Sequence, residues 1–139
     1  MELRDVMTPY PTVCAPDTSV VAAAALMRDQ AIGDVLVKHA TGPLGIVTDR
    51  DIATRVVANG RDAQRVTVGD VCTTALTTVE VDTPVEEVIA LMSSQAVRRI
   101  PVMDGERPIG IVSLGDLAVD RDGSSALGRI SAAQPSEQA

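Results

Sequence analysis

The fold is decided by an octet that occurs twice, as GIVTDRDI at residues 45–52 and as GIVSLGDL at residues 110–117. Each copy opens with an apolar run typical of a strand and continues into a sequence typical of a helix. The hydroxyl of Thr48 or Ser113 therefore stands where a strand ends and a helix begins. An aspartate, Asp51 or Asp116, follows three residues later.

This joint between strand and helix has two interpretations. Thr48-x-x-Asp51 and Ser113-x-x-Asp116 resemble capping boxes, with Asp in place of the usual Glu, and capping is the commoner role for one such tetrad. Alternatively, the joint is a ligand site, because N–H groups at a helix start attract anions and a nearby carboxylate accepts ribose hydroxyls. Both roles are compatible, and the repetition favours a ligand site.

The repeat extends far beyond the octets. When the chain is shifted by 65 residues, it overlays on itself without a gap. The matched pairs include Asp5 and Asp70, Thr12 and Thr77, Asp17 and Asp82, Leu26 and Leu91, Gln30 and Gln95, and Pro43 and Pro108. A period of this size predicts two copies of one supersecondary unit packed together, because neither copy alone is expected to bury a sufficient core.

Six stretches within these copies form a recognisable set of motifs. They are residues 5–8, 25–27, 32–33, 45–51, 97–102 and 110–116. With these motifs at this spacing, the chain resembles a tandem pair of CBS motifs, the regulatory module named after cystathionine beta-synthase. The resemblance covers about residues 4 to 121. It implies an α/β fold of two β-α-β-β-α motifs packed as a pseudo-twofold pair, with adenosine-containing ligands in the clefts between them.

The chain divides into four parts by composition and repeat register. We assign the first motif to residues 1–60, a polar linker to 61–69, the second motif to 70–121 and a mobile C-terminal tail to 122–139. The patterns predict strands at about residues 12–15, 35–37, 44–47, 97–103 and 109–112. They predict helices over residues 20–30, from the first octet to about 59, from 84 onward and from the second octet to about 120.

Apolar residues at helical spacing mark the cores of the two long predicted helices. In the first copy they are Val20, Ala23, Ala24, Met27 and Ala31, and in the second they are Val85, Val88, Ile89 and Met92. We interpret the second set as core and not as a ligand box. Residues 83–86 read Thr-Pro-Val-Glu, which predicts a capping box with proline at the first helical position.

Composition excludes several classes of function. The net charge of −7 argues against nucleic acid, and with Tyr10 as the single aromatic residue the chain has no stacking platform. A purine must then lie between aliphatic side chains. No apolar run reaches the roughly 18 residues that a membrane span needs, and the N-terminus lacks a signal-peptide pattern. We therefore expect a cytoplasmic protein that binds neither membrane nor nucleic acid.

Residue chemistry predicts neither a metal centre nor catalysis. His39 is the only histidine and stands in a predicted exposed loop, so zinc is not expected. Cys14 and Cys72 align with apolar residues of the other copy, which predicts buried or half-buried thiols. The hydroxyls of Thr48 and Ser113 have no visible general base. We expect no enzymatic activity and no resident cofactor.

The resemblance implies two ligand sites that each borrow from both motifs. The residues implied around Asp116 are Ser113, Gly115, Val97 and Arg98, with Thr12 and Val13 covering the base. Those implied around Asp51 are Thr48, Arg50, Ile32 and Gly33, with Thr77 and Thr78 covering.

The two implied sites differ in charge. Arg98 and Arg99 are adjacent arginines in a predicted strand, so one is expected to face the cleft and the other the opposite side. They could be a solvated arginine and an ion pair with the acidic surface, but the resemblance implies that the one facing the cleft is a fork for phosphate. Gly33 and Asp34 occupy these positions in the first copy. Arg50, which replaces Gly115, compensates in part. We therefore predict the tighter phosphate-binding site around Asp116.

Three functional hypotheses follow. The leading one is a stand-alone regulatory sensor that binds AMP, ADP, ATP or a similar adenosyl ligand. The alternative is a structural or protein-interaction module that dimerises and modulates a partner without binding nucleotide. A redox or metal stress protein using the two cysteines is the weakest. The alanine-rich first helix predicts a homodimer, and the resemblance implies a flat disc of four motifs.

Overall fold

The structure is a computed structural model, and it describes residues 2–121. The tail predicted at 122–139 lies outside the described residues. The described chain forms two compact units. One runs from Thr12 to Leu76, and the other combines the N-terminal segment as far as Pro11 with the chain from Thr77 onward.

The first-copy unit has the predicted β-α-β-β-α order. Its elements are β2 (Val13–Cys14), α2 (Val20–Gln30), β3 (Asp34–Lys38), β4 (Leu44–Thr48), α3 (Asp49–Asp51), a π-helical turn (Ile52–Val57) and α4 (Val68–Val71). Strands β2 and β3 are parallel, and β3 and β4 are antiparallel. Helix α2 begins at Val20 after Ser19, whose hydroxyl accepts the Ala22 N–H at 3.1 Å. Its buried residues Val20, Ala23 and Met27 pack on the strands.

The second-copy unit repeats this order and carries one more strand. Its elements are α1 (Leu3–Val6), β1 (Thr8–Pro9), β5 (Val79–Glu80), α5 (Val85–Gln95), β6 (Arg99–Asp104), β7 (Arg107–Ser113) and α6 (Leu114–Arg121). The strand order is β1-β7-β6-β5. Apolar residues of α5, β6 and β7 form the core together with Leu3. The α/β class and the order of elements in each copy are therefore as predicted.

Each unit is completed by the segment that precedes the other copy in sequence. Strand β1 pairs with β7, and at the equivalent place Thr73 bridges to Ile46 of β4. The predicted linker contributes Val66 and Val68 to the first-copy core, where both are buried. The packing leaves no room beside the octets, because a Cβ on Gly45 would lie 2.8 Å from Cys72 Sγ.

Three local predictions are wrong. Thr83 forms no capping box, since Pro84 is the N-cap residue, α5 begins at Val85 and no side chain caps the helix. Strand β6 begins at Arg99, so Val97 and Arg98 precede it. His39 does lie in the loop between β3 and β4, but it is half-buried, and its Nδ1 lies 3.0 Å from the Pro43 carbonyl oxygen.

Candidate functional site

The two strand-to-helix joints have the same reciprocal geometry. The Asp51 N–H donates to Thr48 Oγ1 at 3.1 Å, and the Thr48 N–H donates to Asp51 Oδ2 at 2.9 Å. At the second joint, the Asp116 N–H donates to Ser113 Oγ and the Ser113 N–H donates to Asp116 Oδ2, both at 3.0 Å. The capping interpretation is therefore confirmed in both copies. Each box uses one carboxylate oxygen and leaves the other, Oδ1, outside it.

A backbone hydrogen bond fixes the residue at position 33 or 98 against the helix start. The Asp49 N–H donates to the Gly33 carbonyl at 2.9 Å, and the Leu114 N–H donates to the Arg98 carbonyl at 2.8 Å. This contact, and not strand alternation, places Arg98 beside the second joint. The role of Arg98 in ligand binding stays a prediction, and the repeat-equivalent residue of the first copy is Gly33.

The amides at the two helix starts are occupied differently. In the first copy, the Arg50 N–H donates to Asp49 Oδ1 at 2.8 Å, so the chain supplies its own carboxylate there. In the second copy, Leu114 replaces Asp49, and within the described residues the Gly115 N–H has no hydrogen-bond acceptor. The second joint thus offers the Gly115 N–H as a donor for an anion, whereas at the first joint the equivalent N–H of Arg50 is already bonded to Asp49.

Asp51 also has a cation one turn along its helix, at a position where the second copy does not carry an arginine. Arg55 Nη2 lies 3.6 Å from Asp51 Oδ1, in an i,i+4 ion pair. The residue 65 positions later is Asp120. Asp116 Oδ1 therefore has no equivalent arginine on α6. Arg55 was absent from the sequence-based site, because that site was built from features shared by the copies.

The predicted covering residues lie at the start of each motif. The Thr12 hydroxyl is hydrogen-bonded to Gln30 Oε1 at the end of α2, and the Thr77 hydroxyl makes the repeat-equivalent bond to Gln95 Oε1. Val13 and Thr78 are exposed. The structure therefore shows both threonines held by the same helix position. Their covering role stays a prediction.

The remaining predicted contacts flank the joints. Ile32 packs against the first core and Val97 against the second, both partly buried. Gly33 is thus joined to the first octet, and Arg98 to the second. Within each unit, the structure brings the predicted residues of one motif together.

An apolar cavity of about 560 Å³ lies beside Arg98 in the second-copy unit. Its lining residues come from α5, from α6 and from the turn that connects α5 to β6: Ile89, Met92, Ser93, Ala96, Val97, Arg98, Leu114, Leu117 and Ala118. Ser113 and Asp116 are not among them. Ile89 and Met92 were predicted as core residues only, and they also border this cavity. The helical spacing of the apolar residues in α5 did not show which of them line a cavity.

The two cysteines are free thiols, buried at Cys14 and half-buried at Cys72 as predicted. Burial raises the pKa of the Cys14 thiol. Burial is also the main reason why the pKa of Cys72 is raised, and the positive charge of Arg55 acts in the opposite direction. Among residues 2–121, no three His, Cys, Asp or Glu side chains are grouped to hold a metal ion.

Comparison with protein families gives one result that covers both copies. The model of the CBS domain matches residues 3–58 and 68–121. The chain belongs to the CBS domain family. No helix in the part of the chain that the structure describes is long and apolar enough to cross a membrane.

Three relatives place this CBS pair among similar proteins. The CBS domain-containing protein YhcV of Bacillus subtilis is 35% identical over 126 residues, which cover 91% of this chain and 89% of YhcV. A hexameric CBS-CP12 protein from bloom-forming cyanobacteria has a TM-score of 0.77 at 28% identity, covering 88% and 72% of the two chains. Hypoxic Response Protein I, solved with two coordinated zinc ions, has a TM-score of 0.74 at 31% identity, covering 85% and 97%.

Proposed function

We propose that this CBS pair is a regulatory sensor that binds an adenosine-containing ligand such as AMP, ADP or ATP. One observation carries the proposal. Both joints hold their aspartate by a backbone N–H on Oδ2, which leaves Oδ1 outside the capping box. A carboxylate oxygen has more than one acceptor site, so Oδ1 is a suitable acceptor for ribose hydroxyls in both copies, and at Asp51 it also lies 3.6 Å from Arg55 Nη2.

The second joint adds the groups that a phosphate requires. Arg98 is exposed and fixed through its carbonyl, and the Gly115 N–H is open within the described residues. Charge-assisted hydrogen bonds from such groups are about twice as strong as neutral ones.

A thermal-shift screen tests this function on the full chain. AMP, ADP and ATP should raise the melting temperature, with NAD and S-adenosylmethionine as further candidates. The matched control is Asp70→Ala, because Asp70 forms the same kind of capping box with Thr67 at the start of α4 and lies outside both sites. The proposal is supported if the ligands still stabilise the Asp70→Ala variant and no longer stabilise the double variant Asp51→Ala with Asp116→Ala. No shift with any ligand favours the interaction module.

We also propose that the chain self-associates through the cavity face of α5 and α6. Leu114 is 45% exposed there, and its neighbours Ile89 and Leu117 are apolar. The first copy carries Arg28 and Asp49 where this face has Ser93 and Leu114. The apolar face therefore fits a second copy of itself. We expect the wild type to have the mass of a homodimer in solution and the Leu114→Lys variant to have the monomer mass of 14.5 kDa. A monomeric wild type contradicts this proposal.

The proposed sensor carries out no turnover and acts in the cytoplasm on a partner protein. The hydroxyls of Thr48 and Ser113 accept from backbone amides, and the carboxylate in each capping box is bonded to the N–H group of the same threonine or serine, so both groups are used to start the helix. The zinc of Hypoxic Response Protein I is not extended to this chain, because the described residues contain no group of potential ligands. Phosphate release from ATP by the pure protein would contradict the absence of turnover.

A further inference from the structure

Arg55 connects the first candidate site to the last helix of its unit. Its Nη1 donates to the Val71 carbonyl at 2.7 Å, while its Nη2 lies 3.6 Å from Asp51 Oδ1. The first distance is a hydrogen bond and the second is a charge contact. The Asp51 side chain is 17% exposed and that of Arg55 is 46% exposed, so this contact is partly shielded from solvent. One guanidinium thus spans from the candidate ligand carboxylate to the C-terminal end of α4.

The helix that carries Arg55 departs from α-helical geometry. The Thr54 hydroxyl donates to the Arg50 carbonyl at 2.8 Å and competes for the acceptor of an α-helical turn. The Ala58 N–H then bonds five residues back, to Ala53, at 2.9 Å. Such π-helical turns occur frequently at functional sites.

The second copy has neither feature. Val119 and Asp120 stand where the first copy has Thr54 and Arg55, and α6 is α-helical from Leu114 to Arg121. Valine has no hydroxyl to divert a helix carbonyl. Aspartate has no N–H to donate to a backbone carbonyl. The second copy therefore has no arginine at the position from which Arg55 connects Asp51 to α4.

We propose that Arg55 is a positioning residue that couples ligand occupancy at Asp51 to the segment from α4 to Leu76, where the first-copy unit ends. This inference rests on the proposed function. A ribose hydroxyl that binds Asp51 Oδ1 changes the attraction between this oxygen and Arg55. Because the guanidinium is rigid and planar, its displacement is transmitted to the Val71 carbonyl. The Asp116 site binds without this transmission.

The segment that follows α4 provides amides that report on the coupling. The Cys72 N–H donates to the Val68 carbonyl, and the Thr73 N–H donates to the Ile46 carbonyl of β4, both at 2.9 Å. Loosening of α4 should therefore appear as faster hydrogen exchange at Cys72 and Thr73.

The ligand-free experiment measures this exchange in the full chain. Arg55→Ala should accelerate exchange at Cys72 and Thr73 by about tenfold, because it removes a charged hydrogen bond. The matched control is Arg65→Ala, since Arg65 Nε also lies 3.6 Å from an aspartate, Asp62, in an exposed pair. Equal exchange in the two variants overturns the inference.

The closing experiment adds AMP in the Asp116→Ala background, so that binding reports on the first site. AMP should slow exchange at Cys72 and Thr73, and adding Arg55→Ala should abolish this protection while AMP affinity changes by less than about threefold. If AMP still slows exchange at Cys72 and Thr73 in the variant that lacks Arg55, the proposed coupling is wrong. Complete loss of AMP binding also overturns it, because Arg55 would then be a ligand contact. If neither AMP nor any other ligand of the thermal-shift screen binds to the wild type, the proposed function is rejected, and the ligand-free result still decides the role of Arg55 in holding α4.

Discussion

The two joints share one capping geometry and differ in the charged groups and amides around it. At the first joint, Asp49 occupies the Arg50 N–H, and Arg55 accompanies Asp51. At the second, Gly115 and Leu114 leave the amide open, and Arg98 stands beside it. The capping geometry is thus common to both copies, whereas the charged groups and amides around it differ.

The largest expected effect tests which joint binds more tightly. In calorimetry with AMP, Asp116→Ala should weaken the tightest binding event by about 100-fold, because two hydroxyl hydrogen bonds to a charged acceptor are lost. Asp51→Ala should leave that event intact. Each variant also loses a helix cap, so Asp70→Ala serves as the control for capping alone.

The opposite result would reverse the comparison. If Asp51→Ala removes the tight event and Asp116→Ala does not, the assignment is wrong. Equal losses from both variants would mean that the sites are equivalent or coupled. The argument from Arg98 and the Gly115 amide would then fail.

The second prediction concerns the packing that both octets share. A Cβ at Gly45 would lie 2.8 Å from Cys72 Sγ, and a Cβ at Gly110 would overlap Met7 Sδ. Gly45→Ala and Gly110→Ala should each lower the free energy of unfolding by about 1–3 kcal/mol, as overpacking does. Urea titration measures this.

Rescue variants make this packing test specific to each copy. Cys72→Ala should restore most of the stability of Gly45→Ala and none of that of Gly110→Ala. Rescue of both variants, or of neither, would show that the destabilisation has another source.

Much of the fold followed from the sequence because local signals agreed with each other. Helix α2 was predicted at 20–30 and spans Val20–Gln30, and both capping boxes form. The sequence did not predict which unit is completed by segment 2–11 and which by segment 66–76. The repeat register aligns the two copies but does not show which strands pair with each other. The box at Thr83 failed because Thr83 donates its N–H to Glu80 in a turn before the helix.

The candidate site was predicted less completely than the fold. Pattern analysis found the residues that the copies share, such as Thr48 and Ser113. It assigned Arg98 to a strand predicted from Val97 to Met103, whereas the strand begins at Arg99. It passed over Arg55, whose partners are a carbonyl 16 residues away and a carboxylate one turn back. Every residue has a backbone carbonyl, so the sequence does not indicate which carbonyl accepts a side-chain hydrogen bond.

The third prediction sharpens the difference in phosphate binding. Arg98→Ala should weaken AMP binding at the Asp116 site by about tenfold, because one charged hydrogen bond to phosphate is lost. Adenosine, which has no phosphate, should bind to both proteins with nearly equal affinity. An equal loss for AMP and adenosine would show that Arg98 supports the fold of the site and does not contact phosphate.

The smallest expected effect separates two threonines that look alike in sequence. Thr67 begins a capping box with Asp70, whereas Thr83 precedes a helix that begins without a side-chain cap. Thr67→Ala should therefore lower the free energy of unfolding by about 1 kcal/mol. Thr83→Ala should stay within about 0.5 kcal/mol of the wild type, as expected for a residue without a cap bond. Urea titrations of both variants decide this. A loss at Thr83 equal to that at Thr67 would show that the Thr-Pro-Val-Glu box forms in solution, and the start of α5 would then resemble the two octet joints more closely than the structure indicates.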